Sequence, residues 1–346
     1  MNKSKFIYIA NHLLEDAVEK VAIDLNSEPM KLSEPAHTAA IVSKFPGLMN
    51  RHWGVAKFGG CFIHQSPYVN FKTKNRKRKS ERCEVGDLLC LCKKIVDGII
   101  RYNATLFQLK KDKTESGKVK PDNVSQRLLY TEWPVFSFDH SRANAGANQY
   151  DIQPKAVTPG AQYMFINKYS YPCYVPVVFT HSIPSSVMEN TPERSFGSFL
   201  WDFINWQNGR PISEPDANPK DEWSRLIWEL VARTMNKVYN INKSNPKWQI
   251  CNLRSNGDFF AFMTKMPDGA YGDFLYAEWL KKEYESSLES IDYIKDKPIE
   301  GDGQSVEVNT SDGISILFID FDKENEEKLS EMSRDTSKLS ILTSCV

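Results

Sequence analysis

Asp87, Gln108 and Lys110 are the residues of this chain whose types and spacing could do chemistry together. Asp87 stands in Glu84-Val85-Gly86-Asp87-Leu88-Leu89, at the head of an apolar run, and Gln108-Leu109-Lys110 closes the next one. A polar helical stretch, Gln126-Arg127-Leu128-Leu129-Tyr130, follows. Hydrolysing a phosphodiester needs a metal held by oxygen ligands, a water activated beside it, and positive charge to stabilise the pentavalent phosphorane. Asp87 supplies a charged ligand and Gln108 a neutral carbonyl oxygen. Lys110, two positions on and so on the same strand face as Gln108, meets the water or the phosphate. The expected ion is Mg²⁺ or Mn²⁺.

A neutral ligand leaves such a site one negative charge short, so a further acid is expected. Glu84 is nearest in sequence. Three positions from Asp87, it faces the other side of a regular strand unless a bulge at Gly86 turns it. Glu15 and Glu19, on one face of the first helix, compete with it.

The elements that must hold these residues follow from apolar periodicity. Leu13, Leu14, Ala17, Val18, Val21, Ala22 and Leu25 predict a helix from about Asn11 to Leu25. Pro35 opens a second helix that Pro46-Gly47 ends. Gly54 to Val69 reads as strand, with Gly59-Gly60 a turn or bulge. Val85 to Val96 and Ile99 to Leu109 are strands joined by the Asp97-Gly98 turn. Val124 to Trp133 is helical until Pro134, and Gln162 to Tyr169 and Cys173 to Thr180 are two more strands. The order predicts an α/β fold with a central mixed sheet flanked by helices.

From about residue 184 the composition shifts. Helices are expected over Ser195 to Trp206, Glu222 to Tyr239 and Tyr276 to Tyr284, with a loop over Asn208 to Lys220 and a late strand over Gly313 to Phe321. The expected division is 1–183 for the domain bearing Asp87, 184–321 for an α-rich region serving assembly or partner binding, and 322–346 for a charged tail. Trp201, Trp206, Trp223, Trp228 and Trp279 belong to the core of that region or to an interface with a partner or second copy.

Asp87, about twenty residues, then Gln108-Leu109-Lys110 resembles the active-site signature of the PD-(D/E)xK nuclease superfamily, in the Gln-x-Lys form of Mrr-type restriction endonucleases and some antiphage defence effectors. The α-β-β-β-α-β order is similar to that superfamily's restriction-endonuclease-like core. Gln126-x-x-x-Tyr130 resembles a motif of the RecB-like branch, whose residues support the active site and contact DNA. The resemblance covers roughly Gly54 to Thr180. Gln108 stands where an acid is commoner, and no proline precedes Asp87. What the resemblance implies is a Mg²⁺-dependent deoxyribonuclease of restriction or antiphage defence, working as a homo-oligomer or with a partner protein. A non-catalytic module that keeps a nuclease-like sheet to bind nucleic acid or another subunit is the alternative, and an RNA nuclease is a third possibility.

The bulk composition fits without deciding. With 41% hydrophobic and 25% charged residues the chain is ordinary globular material, and its formal net charge is zero, so nucleic-acid binding must come from a local patch. Lys72, Lys74, Arg76, Lys77, Arg78, Lys79 and Arg82 supply one directly before Asp87, suited to tracking a phosphate backbone. Tyr68 and Phe71 nearby could stack bases, though core packing suits them too. No apolar run approaches the roughly 18 residues of a membrane span. The seven cysteines are odd in number, and free thiols in a reducing cytoplasm are expected. Cys83, Cys90 and Cys92 lack a fourth zinc ligand and the usual loop spacing. His64 reads as a strand histidine, and His140 and His181 have no evident partner. No nucleophile-elbow, phosphate-loop or dinucleotide fingerprint is present, against hydrolases of that type, NTPases and dehydrogenases.

Overall fold

The computed structural model describes residues 2–53, 55–63, 67–72, 80–111, 118–119, 124–139, 149–166, 176–179, 188–189, 195–214, 221–244, 261–263 and 313–321. Helix α1 (Lys3–Asp24) starts eight residues before the periodicity of its second half suggested. Asn2 caps it by accepting the Lys5 N–H at 2.9 Å, and Phe6 and Ala10 extend the stripe of Leu13, Leu14, Ala17 and Val18 into the core. Helix α2 (Glu34–Ala39) is capped by Ser33. It does not stop at Pro46-Gly47. A π turn over Ala40–Lys44 carries it into α3 (Phe45–His52).

The reason is local. Pro46 has no N–H to give the Val42 carbonyl, and a π turn accommodates such a gap inside a helix. Strand β1 (Lys57–Ile63) runs straight through Gly59-Gly60 and lies against that carbonyl. A Cβ on Gly60 would stand 2.0 Å from the Val42 oxygen, so only glycine permits the approach.

The remaining elements are β2 (Tyr68–Lys72), β3 (Ser80–Glu84), β4 (Leu88–Val96), β5 (Ile99–Lys111), β6 (Lys118–Val119), α4 (Val124–Glu132), β7 (Phe136–Phe138), β8 (Ala161–Ile166), β9 (Pro176–Phe179), β10 (Met188–Glu189), α5 (Phe196–Ile204), β11 (Arg210–Ile212), α6 (Glu222–Ser244), β12 (Ala261–Met263) and β13 (Ser315–Phe321). Asp97 and Gly98, both at positive φ, make the tight turn between β4 and β5. Tyr276 to Tyr284 and the tail from 322 lie outside the described residues.

The central sheet is mixed, in the order β12-β1-β13-β4-β5-β8-β9, with β11 also paired to β5. β4 and β5 are antiparallel, α4 follows, and β8 returns parallel to β5. A smaller sheet, β3-β2-β7, stands beside it, and β6 pairs with β10. Side chains from alternate positions feed two cores, as a sheet buried on both faces requires. On one face Leu88, Cys90, Cys92, Phe107 and Leu109 meet α1, α2, α3 and α5. On the other Leu89, Leu91, Ala104 and Leu106 meet α4, α6 and the small sheet.

The boundary expected near residue 184 does not divide two cores. β13 lies between β1 and β4, parallel to β4, and α5 and α6 each close one face of the sheet. Trp223 and Trp228 are buried in that second core rather than held out for a partner. Cys90 and Cys92 fall in the first core and Cys83 in the second, all three as free thiols. Among the described residues no helix is long and apolar enough to cross a membrane.

Candidate active site

The site forms where the chain leaves β3 and enters β4. Val85, Gly86 and Asp87 break strand geometry there. Phe107, already paired with Leu88, also accepts the Asp87 N–H at 2.7 Å, so two successive residues oppose one. That is the bulge-like irregularity Glu84 requires to share a site with Asp87. The Asp87 carboxylate accepts the Leu109 N–H at 2.7 Å and is thereby tied to the middle of Gln108-Leu109-Lys110.

Gln108 stands between Phe107, which accepts the Asp87 N–H, and Leu109, which donates to the Asp87 carboxylate, and it is fully buried. Its Nε2 donates to the Glu84 carbonyl at 3.0 Å, which fixes the orientation of the amide. Its Oε1 is buried and has no hydrogen-bond partner among the described residues. An orphaned buried acceptor costs on the order of 1–3 kcal/mol. Such an atom needs a reason.

Electrostatics ties the other groups together. Burial pushes the Asp87 carboxyl up to about 7, the Glu84 charge pushes the same way, and the Lys110 ammonium and the Leu109 N–H oppose them. Burial also raises the Glu84 carboxyl, against the Tyr68 hydroxyl and Lys110, which favour its charged form. Asp87, Glu84 and Lys110 therefore share one neighbourhood.

A third acid joins them that sequence reasoning passed over. The charge of Glu34 raises both Glu84 and Asp87. Its Oε1 accepts the Lys111 N–H at 2.8 Å, while Lys111 Nζ donates to the Met30 and Leu32 carbonyls at 2.7 and 2.6 Å. One lysine thus clamps the approach to α2 onto the end of β5. The only signal in the sequence was Ser33-Glu34-Pro35, a helix opening with an acid in its first turn. Glu15 and Glu19 do not influence Asp87 or Glu84 in this way; Glu15 pairs with His12.

Behind the bend stands α4. Tyr130 is wholly buried and donates its hydroxyl to the Val85 carbonyl at 2.8 Å, and Gln126 is buried beside it. Tyr130 backs the bend from inside. Gly86 is what lets Tyr130 come so near, since a Cβ there would lie 3.1 Å from its hydroxyl oxygen. Ser125 donates to Glu81 at 2.7 Å and docks the start of α4 on β3.

Of the basic run, Lys72 ends β2 and Arg82 lies in β3, paired with Asp139 at 2.7 Å and stacked over Tyr68. Phe71 is in the core. Lys74, Arg76, Lys77, Arg78 and Lys79 lie outside the described residues, as do His64, His140 and His181. Comparisons with protein-family models, curated proteins and solved structures found no match to this chain.

Proposed function

We propose that this protein is a divalent-metal-dependent nuclease that hydrolyses phosphodiester bonds in DNA. One observation carries the reading: the Gln108 Oε1 is buried without a partner among the described residues, next in sequence to the Leu109 N–H that holds the half-buried Asp87 carboxylate. The donor chemistry fits Mg²⁺ or Mn²⁺, hard cations that take carboxylate and amide oxygens and keep several waters. Asp87 and Gln108 would hold the ion, with Glu84 or Glu34 as the additional acid. When bound, it would polarise the scissile phosphate and lower the pKa of a water.

The chain's own groups do the rest. The charges of Glu84 and Glu34 disfavour ionisation of Asp87, and that of Glu34 disfavours ionisation of Glu84, so the site favours a positive guest. Lys110 offsets part of that charge and is placed to stabilise the phosphorane or to orient the attacking water. The Leu109 N–H holds the carboxylate of Asp87 in one position, and Tyr130 holds the bend from which it projects. Arg76, Lys77, Arg78 and Lys79 would track the phosphate backbone with salt-dependent affinity. Restriction or antiphage defence, with a second copy or a partner protein, is the setting the resemblance suggests.

Nicking of supercoiled plasmid in Mg²⁺, with a matched RNA substrate alongside, tests the proposal. Wild-type protein should cut DNA, and Lys110→Ala should lose at least about a hundredfold in rate while unfolding at the wild-type urea concentration. Undiminished cutting by Lys110→Ala ends the assignment.

A non-catalytic binding module has one observation in its favour. Among the described residues no three His, Cys, Asp or Glu side chains are grouped to hold a metal ion by themselves. A salt-sensitive mobility shift that leaves the plasmid whole in Mg²⁺ would select that reading.

A further inference from the structure

At the hairpin end of β4 and β5 the fold carries an open cavity of about 830 Å³, whose lining includes Lys94, Arg101, Trp206, Ile212, Ser213 and one carboxylate, Glu214. Lys94 and Arg101 sit directly opposite each other in the strand register. Like charges so placed weaken a strand pair. Among the described residues neither has a carboxylate ion-pair partner, and the Lys94 ammonium lies 5.9 Å from the Phe321 ring centre instead. An anion held between the two cations would turn the repulsion into binding.

The opposite wall adds a different chemistry. Trp206 is partly exposed at φ 60°, a left-handed conformation that costs a bulky aromatic residue and is held here by the turn after α5. Its indole N–H and the Ser213 hydroxyl are buried within the wall and have no hydrogen-bond partner among the described residues. Ile212, Pro211, Ile100 and Val96 add apolar surface to that wall, and Glu214 at its end is an acceptor for hydroxyl groups. The volume lies within the range of small-molecule sites.

We propose that this cavity binds a nucleoside monophosphate, with the phosphate between Lys94 and Arg101 and the base against Trp206 and the apolar wall. The cavity is distinct from the candidate active site. Arg101 and Gln108 are seven residues apart on β5, roughly 24 Å at strand rise. A ligand here is an effector or a stabiliser, not the substrate of Asp87 and Lys110, and its binding does not depend on whether the protein cuts DNA.

Calorimetric titration of the full chain with AMP, GMP, CMP and UMP, and with inorganic phosphate, tests the assignment. At least one nucleotide should bind saturably and at least tenfold more tightly than phosphate. Lys94→Gln and Arg101→Gln should each weaken it tenfold or more, while the urea midpoint of Lys94→Gln stays level or rises because the repulsion is gone. Trp206→Leu should weaken nucleotide binding and spare that of phosphate. Absence of saturable binding by all four nucleotides overturns the proposal, as does phosphate binding equally well, or binding undiminished in both cation variants. Loss of DNA affinity in Lys94→Gln without any nucleotide binding overturns it too and gives the cation pair to nucleic acid.

Discussion

The contact between Gly86 and Tyr130 makes a quantitative prediction about what holds Asp87 in place. Tyr130→Phe removes the donor to the buried Val85 carbonyl, which should cost about 1–3 kcal/mol of unfolding free energy. Gly86→Ala brings a Cβ to 3.1 Å from the Tyr130 oxygen, 3.3 Å from the Phe107 carbonyl and 3.4 Å from Ile314. Overpacking on this scale costs about 1–3 kcal/mol. In the double variant the tightest of those contacts no longer exists, so the two costs should fall short of their sum by about 1 kcal/mol, the coupling expected of touching groups. Urea unfolding of the wild type, both single variants and the double variant measures this directly, given equal m-values. If the two single costs add within about 0.3 kcal/mol, the hydroxyl does not pack against the bend as described. If Tyr130→Phe leaves stability unchanged but weakens DNA binding in Ca²⁺, Tyr130 is a DNA contact and not a support.

Gly60→Ala sets a methyl group against the Val42 carbonyl at 2.0 Å, so it should cost about 3 kcal/mol or more and lower soluble yield; a urea midpoint equal to wild type refutes the close approach. His37 is buried and its imidazole is held neutral, pushed down to about 4 by burial, with Nδ1 shared with the Ser33 carbonyl at 2.8 Å. The unfolded chain takes up that proton near pH 6.5 and the folded chain only near 4. Stability is therefore full above about pH 6.5 and falls by about 3 kcal/mol on acidification through that window. His37→Asn should lose this slope, and a wild-type-minus-variant difference that does not change between pH 4 and 7 refutes it. Lys111→Met removes two charge-assisted bonds to the Met30 and Leu32 carbonyls. Amide exchange over residues 28–36 should quicken by about tenfold and half-saturation by Mg²⁺ should move to higher concentration; unchanged exchange there means the clamp does not order Glu34.

What the sequence disclosed was decided by neighbours along the chain. Asp97-Gly98 announced the β4–β5 hairpin because both φ angles must be positive, and that hairpin brings the start of β4 beside the end of β5, Leu88 opposite Phe107. The stripes of α4, α5 and α6 and the apolar run of β13 were equally plain. What stayed hidden depends on contacts between distant segments. Nothing in Ser315 to Phe321 says that the strand lies between β1 and β4, because period-two alternation identifies a strand without naming its partners. Pro46 reads as a helix stop unless the freed Val42 carbonyl is known to meet a glycine strand. Glu34 is brought to the site by hydrogen bonds from Lys111, 77 positions away, and no local pattern reports such a contact.

The placement of β13 also bears on biosynthesis. Its neighbours are translated more than two hundred residues before it, and Ile314, at its threshold, packs beside Gly86 and is gripped by Thr234 through both its carbonyl and its N–H. A ribosome-bound chain halted short of this strand has a gap in mid-sheet and lacks Ile314 beside the bend that carries Asp87. Pairing across so long an interval closes late. Assembly of the bend that carries Asp87 would therefore be among the last events of folding, and prematurely terminated polypeptides should be unstable and short-lived in the cell that makes them.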